Sequence, residues 1–377
     1  MPRLSSSLLR YARHVHPLLS PLLRMCRDLT SARNELRWLL EHAISLSNDI
    51  DSKSARYGYR PQLRQLVRQR ERGKPLQYIL GSQPFGDLDI LCRAGVLIPR
   101  SAACIIPRPL HGLRSSTWSR PETESLTAHL ATLLPTAIYS RELSLQRLRI
   151  LDVCTGTGCI PLLLHSLLGC RLSDVRCCGV DISVKAKTLA RQNLQHNIRL
   201  GHLGPSAQKQ ICFVQDDIFE DSAKEWRNST WDIVISNPPY ISPDGFNKTT
   251  SRSVRNFEPR TALVPQHDQN TTATPTLDHH LGDMFYPRLL HIAHQVGSQV
   301  LLMEVADMLQ ARRVADMVIR SGTWSGCEIW RDWPGQGDNR RNEMVEVAER
   351  EVRVRGEGHG RAVLAWRNGG GKLPGKK

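Results

Sequence analysis

The sequence has no apolar run close to the roughly 20 residues that a membrane-spanning helix needs. Its ten cysteines include no CxxC pair, which argues against a zinc site and against a secreted disulfide framework. We therefore expect an intracellular protein with reduced thiols, no metal and no membrane span. Positive charge is in excess, at a formal +15, and this indicates an acidic partner such as nucleic acid or a ribosome-associated protein.

Residues 1–27 contain five arginines and no acidic side chain. Their apolar residues recur at helical spacing: Leu4, Leu8, Tyr11, Val15, Leu18 and Leu22. A basic amphipathic helix is typical of a mitochondrial import sequence, although an ordinary basic first helix has the same pattern. We predict that residues 1–27 are a cleaved targeting segment and that the protein is located in the mitochondrial matrix.

The periodicity changes along the rest of the chain. It is helical from residue 28 until Gly73 and Pro75 interrupt it, which predicts a small helical domain over residues 28–82. Residues 85–98 alternate like a hairpin, and from residue 149 strands alternate with helices. The latter pattern predicts an α/β domain over residues 83–367, with a parallel sheet covered on both faces. Three stretches (101–120, 266–280 and 340–360) are predicted loops or insertions, and residues 368–377 are a predicted disordered tail.

A glycine-rich turn follows the first strand of this domain and contains Asp152, Cys154, Thr155, Gly156, Thr157 and Gly158. Glycine lets the backbone approach a ligand closely, although such a turn alone is weak evidence. Asp181 ends the second strand, where a carboxylate can accept from both ribose hydroxyls. Asp217 follows the third strand, where it can accept from an adenine amine while Ile218 packs on the ring. Either aspartate alone is as readily a helix N-cap, but the three features in order predict an adenosine site.

The fourth strand is followed by a turn consisting of Asn237, Pro238, Pro239 and Tyr240. A planar NH2 group is a poor nucleophile because its lone pair is delocalised. The Asn237 side-chain oxygen and the Pro238 carbonyl can accept both of its N–H bonds and hold the nitrogen toward a methyl sulfonium. Tyr240 can stack on the planar group, and no metal is required. A Pro-Pro turn is common by itself, but after an adenosine site it predicts an amino- or amide-methyltransferase.

Several motifs in combination resemble the class I methyltransferases that N5-methylate the glutamine of the GGQ motif in release factors. They are residues 72–80 (RGKPLQYIL), 97–100 (LIPR), 121–124 (PETE), 237–240 (NPPY), 257–263 (FEPRTAL), Glu304 with Gln310, and 332–335 (DWPG). The resemblance covers about residues 30–367. With the import-like N-terminus, it is similar to a mitochondrial member of that family.

The resemblance implies an α/β fold, a class I (Rossmann-like) seven-stranded methyltransferase sheet whose last strand is antiparallel, with a small N-terminal helical domain. It implies that this helical domain, residues 28–82, binds the substrate. It implies S-adenosylmethionine as cofactor, bound by residues 154–158, Asp181, Ile218 and Asn237. Residues 237–240 would hold the glutamine amide of a peptide chain release factor. We expect a monomer for which nucleic-acid contact is not required. Two other interpretations stay open, an amino-methyltransferase of adenine or guanine in nucleic acid and a catalytically dead protein that binds a release factor or ribosome.

Two features depart from the family pattern. Cys154 stands where the family usually has glycine, which implies a displaced turn or weaker cofactor binding. Residues 101–120 separate Arg100 from Pro121, and their removal would join the LIPR and PETE segments directly. We hypothesise that this segment is translated intron or a gene-model error. The alternative is a tolerated loop insertion, which would lie beside the predicted active site and could impair activity.

We predict that the transcript lacks the codons for residues 101–120, because a direct LIPR–PETE junction restores the family motif. Sequencing the messenger RNA checks this. A message that retains these codons would show that the segment is a genuine insertion.

Overall fold

The structure is a computed structural model that describes residues 4–48, 58–100, 122–139, 147–221, 223–266, 278–336 and 343–367. Its helices are α1 (Ser6–Val15), α2 (Leu19–Cys26), α3 (Leu29–Asn48), α4 (Arg60–Glu71), α5 (Leu76–Leu80), α6 (Glu122–Tyr139), α7 (Cys159–Leu168), α8 (Val184–Arg199), α9 (Ala207–Gln210), α10 (Pro243–Thr249), α11 (Arg252–Phe257), α12 (Asp278–Gly282), α13 (Phe285–Gln295) and α14 (Met308–Arg320). Within these ranges no helix is long and apolar enough to cross a membrane.

The strands are β1 (Ser82–Phe85), β2 (Leu88–Leu91), β3 (Arg147–Val153), β4 (Asp174–Asp181), β5 (Ile211–Gln215), β6 (Ile233–Ser236), β7 (Val300–Glu304), β8 (Gly326–Trp333), β9 (Glu343–Val347), β10 (Arg350–Arg355) and β11 (Glu357–Trp366). The first two form a hairpin, and the others form one sheet in the order β5-β4-β3-β6-β7-β11-β8-β10-β9. Strands β3 to β7 are mutually parallel, whereas β11 is antiparallel to both β7 and β8. The seven predicted strands are present as β3 to β8 and β11, with the last one antiparallel, and β9 and β10 bring the sheet to nine strands.

Three details of the predicted organisation were wrong. The hairpin occupies residues 82–91 rather than 85–98. Residues 343–355 were predicted to be a loop because they are charged, but they form β9 and β10 and extend the sheet at its edge. A half-exposed edge hairpin tolerates such polar residues because only alternate side chains face the core. Residues 278–282 are helical, whereas 101–120, 267–277 and 368–377 lie outside the described residues.

Both faces of the sheet are covered, because consecutive residues of each strand point to opposite sides. Ile150 packs with α6, α7 and α8, whereas its neighbour Leu151 packs with α13 and α14. Strands β6 and β7 are buried at every position, as expected for strands covered on both faces. Strand β3 lies between β4 and β6. The connection after β3 leads to β4 on one side, whereas the chain later returns to β6 on the other side. A crevice opens at such a point, beyond the carboxyl end of β3.

Helices α1 to α5 pack around a separate apolar core. Ala12, Leu19, Leu22 and Leu23 are fully or almost fully buried in it, although they lie within the predicted targeting segment. The packed helical unit therefore includes residues on both sides of the predicted boundary at residue 28. The targeting role of residues 1–27 stays a prediction.

The residues that flank the segment 101–120 lie close together. The Glu124 backbone N–H donates to the Arg100 carbonyl over 3.4 Å, although 23 residues separate them in the chain. After removal of residues 101–120 these two groups would be four residues apart, which is the spacing of an α-helical hydrogen bond.

We expect the protein lacking residues 101–120 to fold with an unchanged or higher Tm, because closing a long loop costs entropy. Thermal unfolding followed by circular dichroism measures this. A matched control replaces the same 20 residues with a flexible Gly-Ser segment of equal length. If the deletion unfolds at lower temperature than the replacement, the Arg100–Glu124 geometry does not permit direct joining.

Candidate active site

A cavity of about 400 Å³ lies beyond the carboxyl ends of β3, β4 and β6. Seven of the predicted site residues line it: Cys154, Gly156, Asp181, Asp217, Ile218, Asn237 and Pro239. Asp152, Thr155 and Thr157 are buried behind the glycine-rich turn, and Gly158 precedes α7. Pro238 and Tyr240 do not line this cavity, and Tyr240 lies on the side of the turn that faces Glu304.

The glycine-rich turn is built from left-handed backbone. Cys154, Gly156 and Gly158 have φ values of 64°, 55° and 77°. A Cβ at Gly158 would lie 2.8 Å from the Phe213 ring, so close packing against β5 requires glycine there. A Cβ at Gly156 would meet no atom within 4 Å, so this residue presents bare backbone to open space. Cys154 is the exception, since its side chain carries the steric cost of this conformation.

Asp181 connects the turn to the second strand. Its carboxylate accepts from the Gly156 N–H and the Ser183 N–H, each over 2.8 Å. The sequence left open whether Asp181 is the N-cap of α8. The N-cap is instead Ser183, whose side chain accepts from the Ala186 N–H. Burial raises the pKa of Asp181, and the two backbone hydrogen bonds oppose that rise. The carboxylate retains lone pairs for a ligand in the cavity.

The two aspartates after β5 have different surroundings. Asp216 is buried and accepts from Trp226 Nε1 (2.9 Å) and Arg227 Nε (3.1 Å), so it stabilises the fold. Asp217 is half-buried and accepts from the Phe219 N–H over 2.9 Å. The buried Ile218 next to it lines the cavity, as the sequence predicted.

Asp152 is fully buried below the turn. Burial raises the pKa of this carboxyl group to about 8, against the opposing effect of the Thr155 hydroxyl. Burial thus favours the neutral, protonated form of this carboxyl group. A positive ligand charge in the cavity would lower this pKa, because it favours the ionised carboxylate.

Asn237 and Tyr240 belong to one hydrogen-bond network. Asn237 Nδ2 donates to Thr123 Oγ1 over 3.2 Å, and Thr123 Oγ1 donates to Glu304 Oε2 over 2.8 Å. Tyr240 OH donates to Glu304 Oε1 over 3.2 Å. Gln310 Nε2 donates to the Tyr240 carbonyl over 3.2 Å and fixes the end of the turn. The PETE segment and Glu304, whose roles the motifs did not specify, thus contact the NPPY turn.

Sequence reasoning missed part of the apolar wall, which includes Val96, Leu97, Ile182, Phe219, Met284 and Phe285. Ile182 is 61% exposed directly after Asp181, and an exposed apolar residue after a strand-end acid is a signal that a sequence can carry. Phe219 and Phe285 meet edge to face with ring centroids 5.0 Å apart. Phe285 comes from a helix distant in sequence, so no local pattern indicated it.

We expect Cys154→Gly to raise the free energy of unfolding by about 1 kcal/mol, because glycine adopts a left-handed φ without steric cost. Thermal or urea unfolding measures the change. Cys154→Ala is the matched control, since it removes the thiol but keeps the Cβ, and it should not stabilise. An equal gain in both variants would contradict the backbone explanation.

The chain matches proteins of known family. The profile of the N-6 DNA Methylase family matches residues 129–281. The mitochondrial MRF1 N(5)-glutamine methyltransferase of Saccharomyces cerevisiae is 37% identical over 266 residues, 70% of this chain and 68% of that protein. The probable mitochondrial MRF1 N(5)-glutamine methyltransferase of Schizosaccharomyces pombe is 34% identical over 68% of this chain and 71% of that protein.

A release factor glutamine methyltransferase of Chlorobaculum tepidum is 31% identical over 53% of this chain and 56% of its own length. Among solved structures, the N-terminal domain of human METTL16 is 14% identical with a TM-score of 0.39, over 79% of this chain and 81% of that one. The two yeast relatives are more than 30% identical over about two thirds or more of both chains, and the family predicted from the motifs is confirmed. The chain belongs to the release factor N5-glutamine methyltransferases.

Proposed function

We propose that this methyltransferase transfers a methyl group from S-adenosylmethionine to the side-chain amide N5 of the GGQ glutamine in a mitochondrial peptide chain release factor. The relatives named as mitochondrial MRF1 N(5)-glutamine methyltransferases support the substrate. The observation that carries the proposal is the position of Asn237. It lines the same cavity as Asp181 and the glycine-rich turn, so an amide acceptor and an adenosine-type site share one wall.

The cavity fits the cofactor chemically. Asp181 and Asp217 present carboxylates that suit ribose hydroxyls and an adenine amine, and Ile182 and Ile218 present apolar surface for the ring. The bare backbone at Gly156 leaves room for close approach. When bound, S-adenosylmethionine supplies a methyl group already activated by a positive sulfur.

The protein's own groups would align the acceptor nitrogen. The Asn237 side-chain oxygen and the Pro238 carbonyl accept the two N–H bonds of the glutamine amide, which orients the nitrogen's π face toward the methyl donor. Pro238 has no N–H to compete, and proline stiffens the turn. Tyr240, held by Glu304, flanks the planar group. Rate enhancement then comes from alignment and desolvation, with no covalent intermediate on the protein.

We propose that the release factor docks in a groove of about 640 Å³ between the helical domain and the NPPY side of the catalytic domain. Trp38 and Arg70 line it from α3 and α4, and Arg100, Glu122 and Glu258 line it from the catalytic domain. A groove lined from both domains supports the predicted substrate-binding role of residues 28–82. Exposed arginines one turn apart on α4 (Arg60, Arg64 and Arg68) would attract an acidic partner.

We further propose that the protein acts as a monomer in the mitochondrial matrix. The names of the two yeast relatives support a mitochondrial location, and the basic, acid-free residues 1–27 support import. The alternative substrate is adenine in nucleic acid, which the match to the N-6 DNA Methylase profile favours. A flat exocyclic amine makes the same two hydrogen bonds, so substrate tests must include it.

We expect the protein, incubated with S-adenosylmethionine and a mitochondrial release factor, to add one methyl group to the GGQ glutamine. Mass spectrometry of the tryptic peptide measures it. Asn237→Ala should lower kcat by about 10²-fold or more, because it removes an oriented acceptor at the reacting nitrogen. Asn228→Ala, the same change at an exposed turn, is the matched control and should keep full activity.

Substrate controls separate the two candidate functions. A release factor with asparagine in place of the GGQ glutamine should not be methylated, and an adenine-containing oligonucleotide should stay unmodified. Methylation of the oligonucleotide but not of the release factor would overturn the proposal. Binding of S-adenosylmethionine without transfer to either substrate would do so as well.

A further inference from the structure

We infer that Thr123 and Glu304 are positioning residues that set the orientation of the Asn237 amide, so that its oxygen faces the substrate. The inference rests on the proposed function and extends it to the PETE segment and to the strand that ends in Glu304. Neither residue lines the cavity beyond β3, β4 and β6. Both act through Asn237 and Tyr240.

The hydrogen-bond donors and acceptors of Glu304, Thr123 and Asn237 fix the orientation of the Asn237 amide. Ionised Glu304 only accepts hydrogen bonds, so the Thr123 hydroxyl must donate its single hydrogen to Glu304 Oε2, 2.8 Å away. That hydroxyl can then only accept from Asn237. The Asn237 group at 3.2 Å from it must therefore be the NH2 group. The other end of the side chain, the Oδ1 acceptor, points away from Thr123 and is available to a substrate N–H.

Because Thr123 and Glu304 are buried, only one orientation of the Asn237 amide satisfies its hydrogen-bond partners. Thr123 and Glu304 are each 3% exposed, so water does not offer alternative partners. An Asn237 amide rotated by 180° would place its oxygen against a hydroxyl that has no hydrogen left to donate. The unpaired buried groups would cost more than an ordinary hydrogen bond contributes. A rotated amide would also direct its NH2 group at the substrate NH2, where two donors meet.

The ionisation of Glu304 decides the direction of this chain of hydrogen bonds. Burial, and to a smaller extent Glu122, raise the pKa of Glu304 to about 7 against the opposing effects of Thr123, Tyr240 and Arg361. Below this pKa a protonated Glu304 can donate to Thr123, whose hydroxyl hydrogen becomes free to meet an Asn237 oxygen. The amide then has two allowed orientations instead of one. The charged and titratable groups that face Glu304 are Arg100, Glu122, Cys159, Tyr240, Tyr286 and Arg361.

We expect Thr123→Val to lower kcat for release factor methylation by about 10-fold, because valine keeps the shape but removes the hydroxyl. KM for the release factor and Kd for S-adenosylmethionine should stay within about twofold, and Thr123→Ser should restore kcat. Thr127→Val is the matched control. It lies one turn further along α6, is fully buried, and bonds through its hydroxyl to the Thr123 carbonyl. It should keep wild-type kcat.

The pH profile gives a readout that a merely structural role would not move. Wild-type kcat is expected to fall by about 10-fold between pH 8 and pH 6, as Glu304 takes up a proton. Glu304→Gln, which carries a donor permanently, should show low kcat without this step. Unchanged kcat in Thr123→Val, or a wild-type pH step that persists in Glu304→Gln, would overturn the inference.

A measurement on the protein without substrate separates this inference from the proposed function. The side-chain NH2 resonances of Asn237, assigned against Asn237→Ala, should be protected from solvent exchange above pH 7 and lose protection in Thr123→Val. Equal exchange in both proteins would reject the positioning role even if the glutamine is methylated. Protection lost as expected, with no methylation of the release factor by the wild type, would reject the proposed substrate alone.

Discussion

Strand β3 is hydrogen-bonded on both sides, to β4 and to β6, and the site depends on this central pairing. Because the three strands are parallel, their carboxyl ends meet at one edge of the sheet. The glycine-rich turn after β3, Asp181 at the end of β4 and Asn237 after β6 consequently line one cavity, although up to 83 residues separate them in sequence. Apolar packing on both faces of the sheet holds this register.

Around that edge, hydrogen bonds from side chains hold the two turns that form the site. Asp181 holds the glycine-rich turn through the Gly156 N–H. Gln310 holds the end of the NPPY turn, and Glu304 holds Tyr240. Each bond involves a buried or half-buried group, so each restricts the site to one geometry. Such a site accelerates methyl transfer by alignment, which requires that its parts do not move relative to one another.

Cys154 is a non-glycine residue with left-handed backbone in the turn that lines the cavity. A left-handed φ of 64° at a non-glycine residue is a local cost that the surrounding turn must offset. The turn keeps its shape because Thr155 N donates to the Val180 carbonyl and Gly158 N donates to the Thr155 carbonyl. The cysteine thus adopts a conformation that favours glycine, and its effect on turn position or cofactor binding stays a prediction.

The sequence by itself determined the strand–helix alternation, the strand-end acids and the NPPY turn, because each is a local pattern that follows from side-chain periodicity or backbone freedom. It failed at β9 and β10, where charged residues form an exposed edge. Only the tertiary structure brought Thr123 from α6 and Glu304 from β7 against Asn237, and Phe285 against Phe219. These contacts join segments up to 181 residues apart, and their partners are chosen by packing, which no local pattern encodes.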